Sequence, residues 1–302
     1  MKSLFLSICF CITVQVSAQP GSAPLYPKDK IPFAIKGKPE PEKFDSAKGH
    51  YSVVSEPSIA GYKPTGTSKG KAVLIFPGGG YGFVSYEKEG HQVAELLAEN
   101  GYPAFALKYR LPDKRAIDST QRQWVPLADV AAAIRWIRKN AIEFGVDTAQ
   151  IGVLGFSAGG HLAASASTLF DKHPHGGKDV KPAFTGLIYP VISSGSSRHA
   201  GSYKNLLGKS QSEEQLNLFS LDKQVNSLTP PAFLVHSQDD PGVPVENSLL
   251  YFQALRAQQI PCEMHIFPTG GHGFGLGSRV RSKAPDWAPL MLKWLENLQI
   301  SK

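Results

Sequence analysis

The stretch Ile151-Gly152-Val153-Leu154-Gly155-Phe156-Ser157-Ala158-Gly159-Gly160-His161 constrains this chain more than any other. An apolar run of strand length drives into Gly-x-Ser-x-Gly, and small residues of helical pattern follow at once. A serine on so sharp a strand-to-helix turn is held in a strained backbone, and a Cβ at Gly155 or Gly159 is expected to collide with the neighbouring strand or helix. The turn lifts the hydroxyl clear of the sheet, and the helix start behind it offers unpaired N–H groups to an anion. A purely structural glycine turn has the same spelling, so downstream partners must decide between the readings.

Those partners are present. The segment from Pro231 to Pro244 reads as a buried strand ending in Asp239 and Asp240. Cys262 to Pro268 alternates like a strand and opens into Thr269-Gly270-Gly271-His272-Gly273-Phe274-Gly275. A histidine between glycines after the last strand can swing its imidazole over the strand ends. There Nε2 can take the Ser157 proton while a carboxylate holds Nδ1–H. Neighbouring residues of an extended strand end point in opposite directions. One of Asp239 and Asp240 is therefore expected to face His272 and the other to cap the following turn, with Glu246 the next acid along.

A second glycine signature precedes the serine. Lys71 to Phe76 is a strand run, and Pro77-Gly78-Gly79-Gly80-Tyr81-Gly82 follows it. Three glycines let successive N–H groups converge into a nest for negative charge. The N–H groups of Gly79, Gly80 and Ala158 are the expected oxyanion hole. No Gly-Lys-Ser/Thr follows and no dinucleotide fingerprint occurs, which argues against a phosphate loop.

With 302 residues and 42% hydrophobic content, the chain can bury one large core. Strand and helix patterns alternate, which implies an α/β architecture: a mostly parallel central sheet flanked by helices. Leu127, Val130, Ile134, Ile137, Ala141 and Phe144 recur at helical spacing up to Gly145. Further helices are expected over Glu89 to Asn100 and Pro285 to Leu298.

Lys2, the apolar run Leu4 to Val16 and Val16-Ser17-Ala18 fit a cleavable signal peptide over 1–18, hence a secreted or periplasmic protein. Residues 19–48, rich in Pro, Lys and Gly, read as a mobile leader, and 49–302 as the catalytic domain. Beyond the signal only Cys262 remains, so no intramolecular disulfide is expected. The charge of +7 has no Lys/Arg run of nucleic-acid type, and the apolar run is too short for a membrane span. The pair His173-Pro174-His175 reads as a solvated loop rather than a metal site, so no metal or cofactor is expected. His161 reads as a structural histidine and His236 as part of a strand.

Taken in order, Pro77-Gly78-Gly79-Gly80-Tyr81, Glu89-Gly90, Leu107-Lys108-Tyr109-Arg110-Leu111 and Gly155-Phe156-Ser157-Ala158-Gly159-Gly160-His161 form a set. Pro230-Pro231-Ala232-Phe233, Asp239-Asp240, Val243-Pro244 and Gly271-His272-Gly273-Phe274 complete it. The chain resembles secreted bacterial α/β-hydrolases of the acetylxylan esterase-like, carbohydrate-esterase type, over about residues 50–300. One departure from hormone-sensitive-lipase relatives is Pro77, which stands where those carry the histidine of His-Gly-Gly-Gly.

The resemblance implies the α/β-hydrolase fold, and the segment 193–230, longer than a plain crossover, is itself expected to form a short lid over the acyl site. The resemblance also implies Asp240 as the triad acid with Ser157 and His272, since Asp-x-x-Val-Pro is the usual pattern there. The activity it implies is a serine carboxylesterase removing small acyl groups, acetyl first, from plant polysaccharide. The alternatives are a feruloyl esterase, an exopeptidase-like serine hydrolase, or a non-catalytic glycan-binding protein on a hydrolase scaffold. An acylated carbohydrate is then the expected partner. Tyr81 and Trp124 are candidates to stack on its sugar rings or, equally, to plug the core. Arg110 is a candidate substrate contact, with a salt bridge to Asp113 the favoured reading.

Overall fold

A computed structural model describes residues 21–277 and 285–300. The expected signal peptide lies outside the described residues. The chain enters through β1 (Ser22–Pro24), β2 (Lys43–Asp45), β3 (His50–Val53) and β4 (Ser58–Tyr62). Then come β5 (Gly70–Phe76), α1 (Gln92–Glu99), β6 (Ala104–Lys108), α2 (Val125–Lys139), α3 (Ala141–Phe144), β7 (Val146–Phe156) and α4 (Ala158–Thr168). The second half carries β8 (Thr185–Ile188), α5 (Ala200–Leu207), α6 (Glu213–Leu218), β9 (Ala232–Ser237), α7 (Glu246–Ala257), β10 (Cys262–Phe267) and α8 (Ala288–Asn297).

Eight strands form one sheet in the order β1-β4-β6-β5-β7-β8-β9-β10. From β6 to β10 every pairing is parallel, and only β4 against β6 and β1 against β4 are antiparallel. The mostly parallel sheet expected from the alternation is thus present. Its middle strands bury both faces, which is why Ala72–Phe76 and Ile151–Phe156 read as continuous apolar runs rather than alternating ones. The carboxyl ends of β5, β7, β9 and β10 lead into the Pro77 loop, Ser157, the Asp239–Asp240 pair and the His272 loop. Parallel strands bring all four to one end of the sheet.

The segment expected as a mobile leader is a correction. Residues 21–48 lie against the domain: β1 pairs with β4, β2 with β3, and the Tyr26 hydroxyl donates to Ala128 O at 2.8 Å. Lys108 pairs with Glu42, and Arg110 Nη1 donates to Pro32 O. The polar composition that suggested a leader instead supplies backbone and charged partners for the sheet's outer strands.

The expected helix at Glu89 is also modified. A π-type turn over Glu87–His91 precedes α1 and carries Glu89 inward, where it is 5% exposed. Such turns shift side-chain register by widening the helix.

Candidate active site

Ser157 has φ 53° and ψ −117°, the strained conformation expected of this turn. Its N–H donates to Ile188 O at 3.0 Å, and its own carbonyl accepts from His161 N–H and Val191 N–H. A Cβ on Gly155 would run into the backbone of Gly159, and one on Gly159 into the carbonyls of Phe76 and Pro77. No larger residue fits at either position without moving the turn.

Facing the serine, His272 Nε2 lies 2.8 Å from Ser157 Oγ, and His272 Nδ1 lies 2.6 Å from Asp240 Oδ2. Asp240 Oδ1 accepts the N–H groups of Gly242 and Val243, both at 2.8 Å. Its neighbour Asp239 accepts from Gly271 N–H at 2.8 Å and so tethers the histidine loop. Asp240 therefore both faces His272 and caps the turn, whereas the expected division assigned the cap to the other aspartate. Burial alone would raise the Asp240 carboxyl. Hydrogen bonds from His236, His272 and Val243 N–H outweigh it and hold the group well below the usual carboxylate range. His236 sits in β9, with Nε2 donating to Val243 O at 2.9 Å and Nδ1 beside the Ser248 hydroxyl at 2.8 Å. It braces the acid from behind. Such a relay can deprotonate a serine as it attacks a carbonyl.

Gly79, Gly80 and Tyr81 all have positive φ, which folds the Pro77 loop back over the serine. Gly78 N–H is taken by Glu89 Oε2 at 2.7 Å. Among the described residues no backbone carbonyl takes the N–H of Gly79 or Gly80, and both glycines line the cleft that holds Ser157 and His272. Ala158 opens α4, where first-turn N–H groups lack intrahelical acceptors. The cleft encloses about 470 Å³ and is also lined by Phe83 and His199. A larger groove of about 700 Å³ beside Lys48, Glu87 and Glu99 shares only Lys88 with it.

None of the three candidate substrate contacts lines the cleft: Tyr81 and Trp124 take the core-packing alternative, and Arg110 makes a salt bridge, as favoured, but with a partner other than the expected one. Tyr81 is 3% exposed, its left-handed backbone turning the ring inward so that its hydroxyl meets His161 Nδ1 at 2.9 Å. Arg110 is wholly buried, paired with Asp129 (Nη2 to Oδ1 at 2.6 Å) rather than with Asp113, which instead pairs with Arg115. Trp124 is half-buried against Phe219 and His173, at ring distances of 5.2 and 6.3 Å.

Sequence reasoning passed over three participants. Glu89 Oε1 accepts from the Tyr189 hydroxyl at 2.8 Å, which in turn accepts Gly275 N–H at 2.9 Å. Tyr189 also packs its ring against His272 at 5.0 Å. This chain of bonds ties the Pro77 loop to the histidine loop. The third is His199, from the segment leading into α5. The Glu89-Gly90 motif was the only local trace of the first, and nothing local marked the others.

His161 links the Pro77 loop to the segment 193–230. Its Nε2 donates to Phe219 O at 3.0 Å, leaving Nδ1 to accept from Tyr81, and burial pushes its pKa down to about 4. His173 is likewise pushed down to about 4, by burial first. In the unfolded chain each would titrate near 6.5. The unfolded state then binds more protons between roughly pH 6.5 and 4, so the stability these neutral rings contribute is present above that window and lost on acidification through it. Each fully engaged group contributes a slope of about 1.4 kcal/mol per pH unit. Thermal unfolding followed from pH 7 to 4 should show Tm falling across this window, with a shallower fall in His161→Gln. An equally steep fall in that variant would remove His161 as a cause.

Comparison with known proteins places this geometry. Residues 61–255 match the family described as BD-FAE. The chain belongs to the BD-FAE family. Among curated proteins it is similar to an acetylxylan esterase of Xylanibacter ruminicola, 37% identical over 214 residues, covering 69% of this chain and 42% of that protein. It is also similar to endo-1,4-β-xylanase B of Butyrivibrio fibrisolvens, 36% identical over 226 residues, covering 72% of this chain and 34% of that one. The chain thus spans less than half the length of each of these two relatives.

Among solved structures it is similar to an acetyl ester-xyloside bifunctional hydrolase from Caldicellulosiruptor lactoaceticus. That match has 35% identity and a TM-score of 0.74, covering 93% of this chain and 97% of that one. An α/β hydrolase from a Medee basin deep-sea metagenome library matches with 27% identity and a TM-score of 0.58, covering 85% of this chain and 96% of that one. The BD-FAE chain described here has the α/β-hydrolase fold.

Proposed function

We propose that this protein is a serine carboxylesterase that removes acetyl groups from xylan-type polysaccharide or its oligomers after export from the cell. The observation that carries the chemistry is the unbroken relay from Ser157 Oγ through His272 to Asp240 Oδ2, at 2.8 and 2.6 Å. Ser157 attacks the ester carbonyl as His272 Nε2 takes its proton, and the imidazolium is stabilised by Asp240. The N–H groups of Gly79, Gly80 and Ala158 hold the developing oxyanion. His272 then protonates the leaving alcohol and activates the water that releases acetate.

The substrate half of the reading is supported by the xylan-directed names of the relatives and by the cleft. Among its described lining residues, which include His50, Ser85, Gly201 and Asn205, Phe83 alone carries a large hydrocarbon side chain. Each added methylene contributes about 0.8 kcal/mol only where apolar surface can bury it. Catalytic efficiency on p-nitrophenyl esters should therefore fall from acetate to butyrate and collapse by octanoate. Acetylated xylan should release acetate, while feruloylated arabinoxylan releases little ferulate. Preference for octanoate would mark a lipase-like enzyme, and strong ferulate release would favour the feruloyl esterase reading.

A further inference from the structure

His199 is the N-cap of α5 and lines the same cleft as Ser157 and His272. Its Nδ1 accepts the Ser202 N–H at 3.3 Å and lies 2.8 Å from the Ser202 hydroxyl. A ring nitrogen that accepts a backbone N–H carries no proton, so in the neutral ring the proton sits on Nε2. Burial, the largest cause, pushes the ring's pKa down and favours its neutral form. The cap therefore fixes the tautomer and leaves Nε2–H as an oriented donor.

Position decides what that donor can meet. The His199 ring lies close to the oxyanion loop, with Cε1 3.9 Å from where a Cβ on Gly80 would stand. It also faces the same cleft as Ser157 and His272. In acyl transfer the proton on His272 must pass to the leaving oxygen, so the alcohol half of the ester occupies the His272 side of the serine. A neutral donor-only group there can pair with a hydroxyl oxygen of the alcohol but gains nothing from an alkyl or aryl one.

We propose that His199 reads the alcohol half of the ester, donating Nε2–H to a free hydroxyl on the carbon next to the acylated one. A partly acetylated pyranose presents that vicinal arrangement. The inference rests on the esterase reading above but not on xylan in particular.

The test pairs two acetates that share an acyl group and differ by one hydroxyl in the leaving group: 2-hydroxyethyl acetate and ethyl acetate. Acid release is followed by titration in the full-length wild type and in His199→Asn, which keeps a good N-cap acceptor for α5. His199→Ser, a second capping variant, covers the case in which asparagine disturbs the loop. The ratio of kcat/KM for the hydroxylated ester over the plain one should fall roughly five- to ten-fold from wild type to either variant, the worth of one hydrogen bond. Equal losses on both esters would mean that His199 serves the lid or the oxyanion hole, and an unchanged ratio would mean that it does not touch the alcohol. Either result overturns the proposal. A collapsed ratio combined with wild type that frees no acetate from xylan would support His199 as the reader and overturn xylan as the substrate.

Discussion

Alanine at Ser157 is expected to leave a folded protein whose ester turnover is lower by on the order of 10⁴–10⁶. The turn is held by backbone bonds to Ile188, His161 and Val191 and by the close approach of Gly155 and Gly159, none of which uses the hydroxyl. Circular dichroism and Tm should therefore match the wild type. What disappears is the hydroxyl placed 2.8 Å from His272 Nε2, leaving the oxyanion site without its nucleophile. A fluorophosphonate probe should label the wild type and not the variant. Retention of more than roughly one per cent of the rate would end the assignment of Ser157 as nucleophile.

Asn at position 240 should cost about 10⁴ in kcat, because an amide nitrogen facing Nδ1 forces the imidazole proton onto Nε2, where it cannot receive another. Asp239→Asn should cost about tenfold, since it weakens a single tether to Gly271 N–H while leaving the relay intact. Kinetics of the two variants on one acetate ester decide between them. If Asp239→Asn proved the more damaging, the relay would run through the other carboxylate. Equal and mild losses would point away from both, toward an acid such as Glu246.

The parts of this site that a reader of the sequence can find are those written as local chemistry. Gly-Phe-Ser-Ala-Gly after an apolar run specifies its own turn, and a glycine-flanked histidine after the last strand specifies a loop that can reach it. Two adjacent aspartates could not be separated by strand geometry alone; the resemblance favoured Asp240, which is the carboxylate found against His272. Glu89, Tyr189 and His199 were not legible because their meaning lies in contacts across 86 to 100 residues or in the tautomer set by a helix cap. Tyr81 and Trp124 were left open between substrate and core, and Arg110 was given the wrong salt-bridge partner, for the converse reason. An aromatic or cationic side chain beside a catalytic loop is equally at home in the core, and a positive φ at Tyr81 or an unforeseen partner such as Asp129 decides which way it turns.

The docking of residues 21–48 bears on how one edge of the sheet is closed. A strand at the rim of a sheet carries a row of unsatisfied N–H and C=O groups that will accept a strand from another molecule. Here β4 would be that rim, and β1 occupies it through Ser22, Ala23 and Pro24. The guard is three residues long and ends in a proline, which has no N–H to continue the ladder outward. A chain trimmed to the family-matched stretch 61–255 would discard this guard together with most of β4 and with His272 itself. The docked segment thus covers an edge that would otherwise present unpaired backbone groups, besides connecting what precedes it to the domain.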